Sequence, residues 1–472
     1  MDVRNPIEMN YPALKARQLK TLNPDCHIFL KLNNSMVIQE QFFSRFFRLA
    51  LINILSNLLV PLASLCDLAF LGHLSEISHL GGVALANVIF QYLYWTFGFL
   101  RMGTTGMTAQ AVGRSDSSGT VLILLRHTLI ALTIGIIILL FQYPLREIGF
   151  TILSADESVK LAGKDYFNMM VFGAPATLIN FVLIGWFLGR EQGRNVFFLS
   201  AINSSLNVFL NYLLIVRYGW ASTGAGVATA ASQYAMLLVG LILVFRELNG
   251  QNIAKLFPKI WDKSALKAVF ALNSNILVRT FALVSTFSAF TNISAAMGTI
   301  VLASNTLLLQ VITLSAHFID GFAFATESFA GNLRGQGNEQ KLIPLVKVSG
   351  GISLMVGLLF AIIFNLFPQA LLGLLTNHGE VLARVNNYVI WLFPVLGFGS
   401  IAYMLDGYFL GLTEAAILRQ SSLASALLGF TPLCIIAWHW QNIHLLWLAL
   451  TFFMLGRVVT LGTKVKNTFA SN

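Results

Sequence analysis

Six ionisable side chains interrupt long apolar runs: Asp67, Arg101, Arg279, Asp320, Asp406 and, near the end of its run, Glu327. A charge in hydrocarbon is costly, so such residues face a bundle interior, pair with one another and mark ion or substrate paths. Asp67 closes the stretch Pro61-Leu-Ala-Ser-Leu-Cys-Asp67. A carboxylate held out of water there can exchange a proton for a cation, or it can serve as half of an interior bridge. Pro61 deletes one backbone hydrogen bond and offers a bend in the first helix. Arg279 cannot stand alone in lipid, and its depth predicts a cluster with Asp320, Asp406 or both. That cluster is read either as a permanent bridge or as one that breaks when access switches. Arg101 has no partner legible in the sequence.

Neutral polar residues gather in the same half as Asp67. Asn203, Asn207 and Asn211 recur at i, i+4 and i+8, so they share one helix face, with Ser200 and Ser204 beside them. Asn180, Gln233 and Tyr234 fall in neighbouring runs. Any one of these amides is readily explained as hydrogen-bond glue between helices. As a group with Asp67 they read as a pocket. Tyr92, Tyr94, Trp95 and Phe287 are aromatic surfaces suited to flat or cationic ligands.

Positioning such groups requires membrane-spanning helices. The chain has 472 residues, 56% hydrophobic and 11% charged, against about 25% charged in a soluble domain. Mean hydropathy is +0.73. Apolar runs of more than about 18 residues lie at 47–72, 80–106, 119–143, 166–188, 195–216, 222–245, 267–295, 299–331, 342–367, 385–411, 415–437 and 443–463. Residues 1–44 are polar and read as a disordered cytoplasmic tail, or as the product of a start placed too early, with Met36 as the alternative. The remainder divides into an N-lobe over 45–246, a cytoplasmic linker over 247–266 and a C-lobe over 267–472.

Net charge is +10, and its distribution points to topology rather than to nucleic acid. With both termini inside, 23 Lys and Arg fall on inner segments and their flanks. Only Arg146, Lys160, Lys164, Arg217 and Arg384 fall outside, and Arg101 and Arg279 lie within spans. That bias predicts cytoplasmic termini in a cell (inner) membrane. Cys26, Cys66 and Cys434 are scattered and suggest neither a disulfide framework nor a metal site. No phosphate-binding GxxxxGK[ST] loop occurs, and His127 and His317 stand alone, which leaves no constellation for an enzyme.

The halves are related. At an offset of 218, Val83-Ala-Leu-Ala-Asn87 falls on Val301-Leu-Ala-Ser-Asn305, and Asp67 falls on Ser285. Further on, at 222, Gly185-Trp-Phe-Leu-Gly189 falls on Gly407-Tyr-Phe-Leu-Gly411. Each half has an even number of spans, so the expected fold is all-α and integral to the membrane. Twelve transmembrane helices form two six-helix lobes related by a pseudo-two-fold along the membrane normal.

At these residues the chain resembles the multidrug and toxic compound extrusion (MATE) transporters, within them the DinF branch. The stretches that carry it are Pro61–Leu74, Leu100–Gln110, Gly185–Gly189, Asn275–Thr280, Phe318–Glu327 and Leu405–Gly411, and the likeness spans about residues 40–465. The resemblance implies an outward-facing two-lobed fold without a cofactor. It implies export of small organic compounds, often cationic or amphipathic, by antiport with H⁺, with Na⁺ the lesser alternative. It puts the ion-coupled aspartate at Asp67. An acid found in the seventh span of some members is missing, since Asn273, Asn275 and Arg279 stand in that region. A fifth-span acid of some relatives is likewise missing, with Asn207 nearest. The expected partners are a small organic substrate and membrane lipid, with the protein acting as a monomer. A flippase for a lipid-linked precursor is the alternative, and it would need a wide lateral groove and clustered cations.

Overall fold

The computed structural model describes residues 24–74, 76–248, 253–376 and 378–469, with side chains placed for all of these except 24–41, 253 and 254. By contacts the chain forms two units, Met1–Arg48 and Leu49–Asn472, and the packing described below is that of the second. Among the described residues there are only helices and the turns between them.

Twelve helices are long and apolar enough to cross a bilayer. We number them α1 (Pro24–Gly72, its span Phe42–Gly72), α2 (Ile77–Gly113), α3 (Ser117–Leu140), α4 (Glu157–Gly189), α5 (Gly193–Arg217) and α6 (Ala221–Glu247). The second half holds α7 (Lys263–Ala296), α8 (Thr299–Gly335), α9 (Glu339–Leu366), α10 (Gly379–Gly411), α11 (Ala415–His439) and α12 (Ile443–Thr468). Each coincides with an apolar run read from the sequence, and most extend further into polar flanks. The expected tail over 1–44 lies outside the described residues up to residue 23; from Pro24 the backbone is already helical. The linker is not bare coil: Ile253–Leu256 and Phe257–Trp261 form short helical turns. Arg126 of α3 anchors it, donating to the Ile260 and Lys259 carbonyls at 3.1 and 2.6 Å. Asp262 then caps α7. Its carboxylate accepts from the Ser264 hydroxyl and the Ser264 and Ala265 amides, and these bonds hold it below the usual carboxylate range.

The repeat has one register, and it differs from the sequence match in the first two helices. The bounds of α2 and α8, of α4 and α10, and of α5 and α11 all differ by 222. The turns agree: left-handed residues recur in the pairs Ser115 and Gly337, Glu191 and Thr413, Gly219 and Gln441. The offset of 218 in the early helices is therefore one helical turn out. A slip of four residues keeps the same face toward the core, so apolar matches survive it.

The halves meet along α2 and α8. A Cβ on Gly113 would lie 2.2 Å from the Asn332 carbonyl, and one on Gly335 would lie 2.2 Å from the Gln110 carbonyl. These two contacts are images of each other under the 222 shift. Within each half the same logic holds. Gly185 and Gly189 of α4 press on the Arg101 and Thr105 carbonyls of α2, and Gly407 and Gly411 of α10 on those of Ala323 and Glu327 in α8. Small residues let backbones touch where lipid offers no hydrophobic drive to association. Several hydrogen bonds that cross between the halves fall at this same end, where α2, α4, α8 and α10 finish. Gln110 donates to the Gly411 carbonyl and the Thr413 hydroxyl (both 3.1 Å), and Asn332 donates to Glu191 at 2.7 Å. We call this the closed end.

Gly335→Val should wedge the closed end apart. Overpacking of this kind costs about 1–3 kcal/mol, read as a lower thermal unfolding midpoint in detergent. Gly351→Val, where a Cβ meets nothing within 4 Å, should leave that midpoint unchanged.

Candidate functional site

Asp67 lies on α1, about 15 Å beyond the contacts of that helix with α8 of the other half, at about 1.5 Å per residue. Those contacts are Ala50 and Ile54 against Gly321, and the Asn57 amide donating to the His317 carbonyl at 3.4 Å. Beyond Pro61 the helix continues unbroken, but Leu62, Leu65 and Leu68 are exposed on the protein. The Ser204 hydroxyl of α5 donates to the Leu59 carbonyl at 3.3 Å and supports the helix just before the proline.

Two amides hold the carboxylate. Asn211 donates to Asp67 Oδ1 at 2.5 Å. The surroundings of Asn207 orient its amide nitrogen to Asp67 Oδ1 and Oδ2, at 3.0 and 3.3 Å, with its oxygen toward the Thr229 hydroxyl at 3.3 Å. Tyr166 of α4 lies within hydrogen-bond reach of Thr229 and donates to Asn87 Oδ1 of α2 at 3.0 Å. One polar chain thus runs from α1 through α5, α6 and α4 to α2. Among the described residues no Lys, Arg or His pairs with Asp67. Its charge is met by neutral donors alone.

The remaining residues expected in this pocket divide. Asn180 donates to the side-chain and backbone oxygens of Gln233, at 3.0 and 2.9 Å. That pair ties α4 to α6 one turn nearer the closed end than Thr229. Asn203 is not joined to Asp67, and its Oδ1 is buried without a hydrogen bond. Tyr234 is 46% exposed and donates to the Phe172 carbonyl. It follows Gln233 directly, and adjacent helical residues point about 100° apart, so both cannot face inward. Asn211, Thr229, Tyr166 and Asn87 complete the group. Asn211 was on the legible face, whereas Thr229 and Tyr166 carried no signal beyond an ordinary core position.

The second cluster forms largely as expected, with an added member. Arg279 of α7 pairs with Asp406 of α10. Arg457 of α12 pairs with the same Asp406 oxygen. Arg457 falls inside the twelfth apolar run and is wholly buried, so its place among the inner-flank charges is corrected here. The guanidinium sits beside the rings of Tyr403 (5.6 Å) and Phe453 (5.8 Å). Asp320 is half-buried and makes no direct bond among the described residues, although Arg101 and Arg279 act on it through space. Arg101 finds a partner across the lobes: its Nη1 lies 3.5 Å from Glu327 Oε2, and its guanidinium lies 4.0 Å over the Phe324 ring. Glu327 is fully buried within α8 rather than near its end.

This geometry, two six-helix halves around separate polar centres, can be compared with known proteins. The MatE family profile matches residues 53–213 and again 276–436, one copy in each half. The chain belongs to the MATE family. Its members are transporters, not enzymes, and this chain is an efflux transporter of that class. It is 34% identical over 415 residues to the DNA damage-inducible protein F of Escherichia coli (strain K12), covering 88% of this chain and 90% of that one. It is 24% identical over 340 residues to a "Probable multidrug resistance protein NorM" of Thermotoga maritima, covering 71% and 72%. Its fold matches a structure described as the outward-facing conformation of a multidrug resistance MATE family transporter, with a TM-score of 0.82 at 18% identity. That match covers 90% of this chain and 96% of the other.

Asp406→Asn in this MATE chain leaves two buried guanidinium groups facing a neutral amide. Losing one partner of a buried bridge costs about 3–5 kcal/mol, seen as a lower unfolding midpoint and a poor folded yield. Adding Arg457→Leu to Asp406→Asn should recover part of the loss. Arg190→Leu, which breaks a partly exposed pair with Glu247, should cost under about 1 kcal/mol.

Proposed function

We propose that the protein exports small organic compounds by antiport with H⁺, and that Asp67 is the coupling residue. The observation that carries this reading is the carboxylate's surroundings: amide nitrogens on both sides and, among the described residues, no cationic partner. A group so placed resolves its charge by taking a proton or an incoming cation. Sodium binds through oxygens, and here the amides present their nitrogens to the carboxylate, which favours the proton.

The topology expected from the positive-inside bias puts the closed end on the cytoplasmic side and the opposite end of the bundle outside. Protonation of Asp67 from outside removes the acceptor charge that holds Asn207 and Asn211. The outer part of α1, supported through Ser204 below Pro61 and exposed beyond it, then shifts, and the substrate leaves. Resetting to inward access must part Arg101 from Glu327 and separate the α2–α8 backbones. A ligand drives this only through different affinity for the two states. The protein works as a monomer in a cell inner membrane, with both termini cytoplasmic.

The test uses the purified protein in vesicles loaded with a fluorescent organic dye such as ethidium, with pH and Na⁺ gradients imposed separately. A pH gradient should drive dye movement. Asp67→Asn should abolish it, with folded yield unchanged. Sodium-driven movement without pH dependence, or undiminished coupled export by Asp67→Asn, would overturn the reading.

Glu327→Gln should weaken the inter-lobe bridge and favour opening of the closed end. The expected readout is faster thiol labelling of a cysteine placed at Gln110 than in the parent bearing the same cysteine. Equal labelling would show that the glycine contacts alone hold the seam.

A further inference from the structure

The C-lobe cluster is unbalanced. Arg279 and Arg457, both more than nine-tenths buried, share one oxygen of one carboxylate, Asp406 Oδ2. Three of their nitrogens, Arg279 Nε, Arg457 Nε and Arg457 Nη1, are buried without a hydrogen-bond partner, as is the other oxygen of the acid, Asp406 Oδ1. A guanidinium is a planar fork built for two parallel bonds to an oxyanion, and here neither fork is filled. One positive charge is left over. The acid nearest to offsetting it, Asp320, stands half-exposed on the neighbouring helix and is bonded to neither arginine, although it feels Arg279 and Arg101 through space.

We propose that Arg279 and Arg457 form an anion-binding subsite that takes the carboxylate of an exported organic molecule, and that Asp320 is the nearby counter-charge with which this carboxylate competes. The proposal rests on the export reading and specifies its substrate class. The N-lobe presents a carboxylate among neutral amides, and the C-lobe presents spare guanidinium donors. A molecule bearing an oxyanion is therefore matched at the second centre. The aromatic faces of Tyr403 and Phe453 beside Arg457 suit a carboxylate carried on a flat ring system. Asp320 acts on Arg279 through space and offsets part of the surplus charge while the site is empty.

The test is equilibrium binding to the full chain in phosphatidylcholine nanodiscs, without any ion gradient. The probe is dansylglycine, and its neutral twin dansylglycinamide differs only at the carboxylate. The carboxylate should bind about tenfold or more tighter than the amide, the range expected of a charged hydrogen bond. Arg279→Gln should erase the preference, and Arg190→Gln should leave it intact. Asp320→Asn should strengthen carboxylate binding, because the competing counter-ion is gone; this variant decides the matter even if Arg279→Gln fails to fold. Equal affinity for the two probes, or weaker carboxylate binding by Asp320→Asn, would overturn the proposal. Because no gradient is applied, such a failure leaves proton-coupled export standing, whereas intact binding without gradient-driven export would count against export alone.

Discussion

Hydrocarbon cannot solvate a polar atom, and the organisation of this protein follows from that constraint. Every amide, hydroxyl and charge within the spans must find its partner inside the bundle. The backbone meets the demand by being helical throughout the spans. The side chains meet it by collecting into two centres, the Asp67 network and the arginine cluster, with the Arg101–Glu327 ion pair crossing between the lobes. The buried groups left without a partner are exceptions that call for a reason. In the arginine cluster that reason is a ligand.

The same solvent removes the hydrophobic drive for helix association, so contact depends on shape. Gly113 and Gly335 bring α2 and α8 to backbone contact, and the paired glycines of α4 and α10 repeat the device within each half. Because these contacts obey the 222 register, one short segment of sequence used twice builds a nearly symmetric seam. A seam of touching backbones closes sharply and opens as a unit. That property suits a transporter, which must never be open at both ends.

Symmetry ends where chemistry begins. Asp67 has no acidic counterpart at either offset, since Ser285 and Ala289 occupy the matching positions, and the three arginines lie in unmatched places. The N-lobe centre is a carboxylate among amides that can gain or lose a proton at little structural cost. The C-lobe centre is a set of permanent charges, because a guanidinium keeps its proton. One half is thus suited to titration and the other to fixed recognition or bracing. The inter-lobe bridge ties α2 to α8, the two helices along which the halves meet.

The sequence by itself determined the solvent, the number of spans, their approximate limits and the existence of two halves. It did so because lipid imposes a minimum apolar length and penalises every charge. It also identified Asp67, and the pairing of Arg279 with an acid, since a lone buried charge is untenable. Only the tertiary structure decided the rest. A helical periodicity tolerates a one-turn slip, so the early repeat register became 222 instead of 218. Neighbouring residues on α6 cannot share a face, so Gln233 turned inward and Tyr234 outward. An arginine in a span looks the same in sequence whether it reaches the water or the core, so Arg457 was assigned only by its burial against Asp406. The partner of Arg101 lies 226 positions away on the other lobe. Helix spacing is a local rule, and contacts between helices are settled only when the bundle packs.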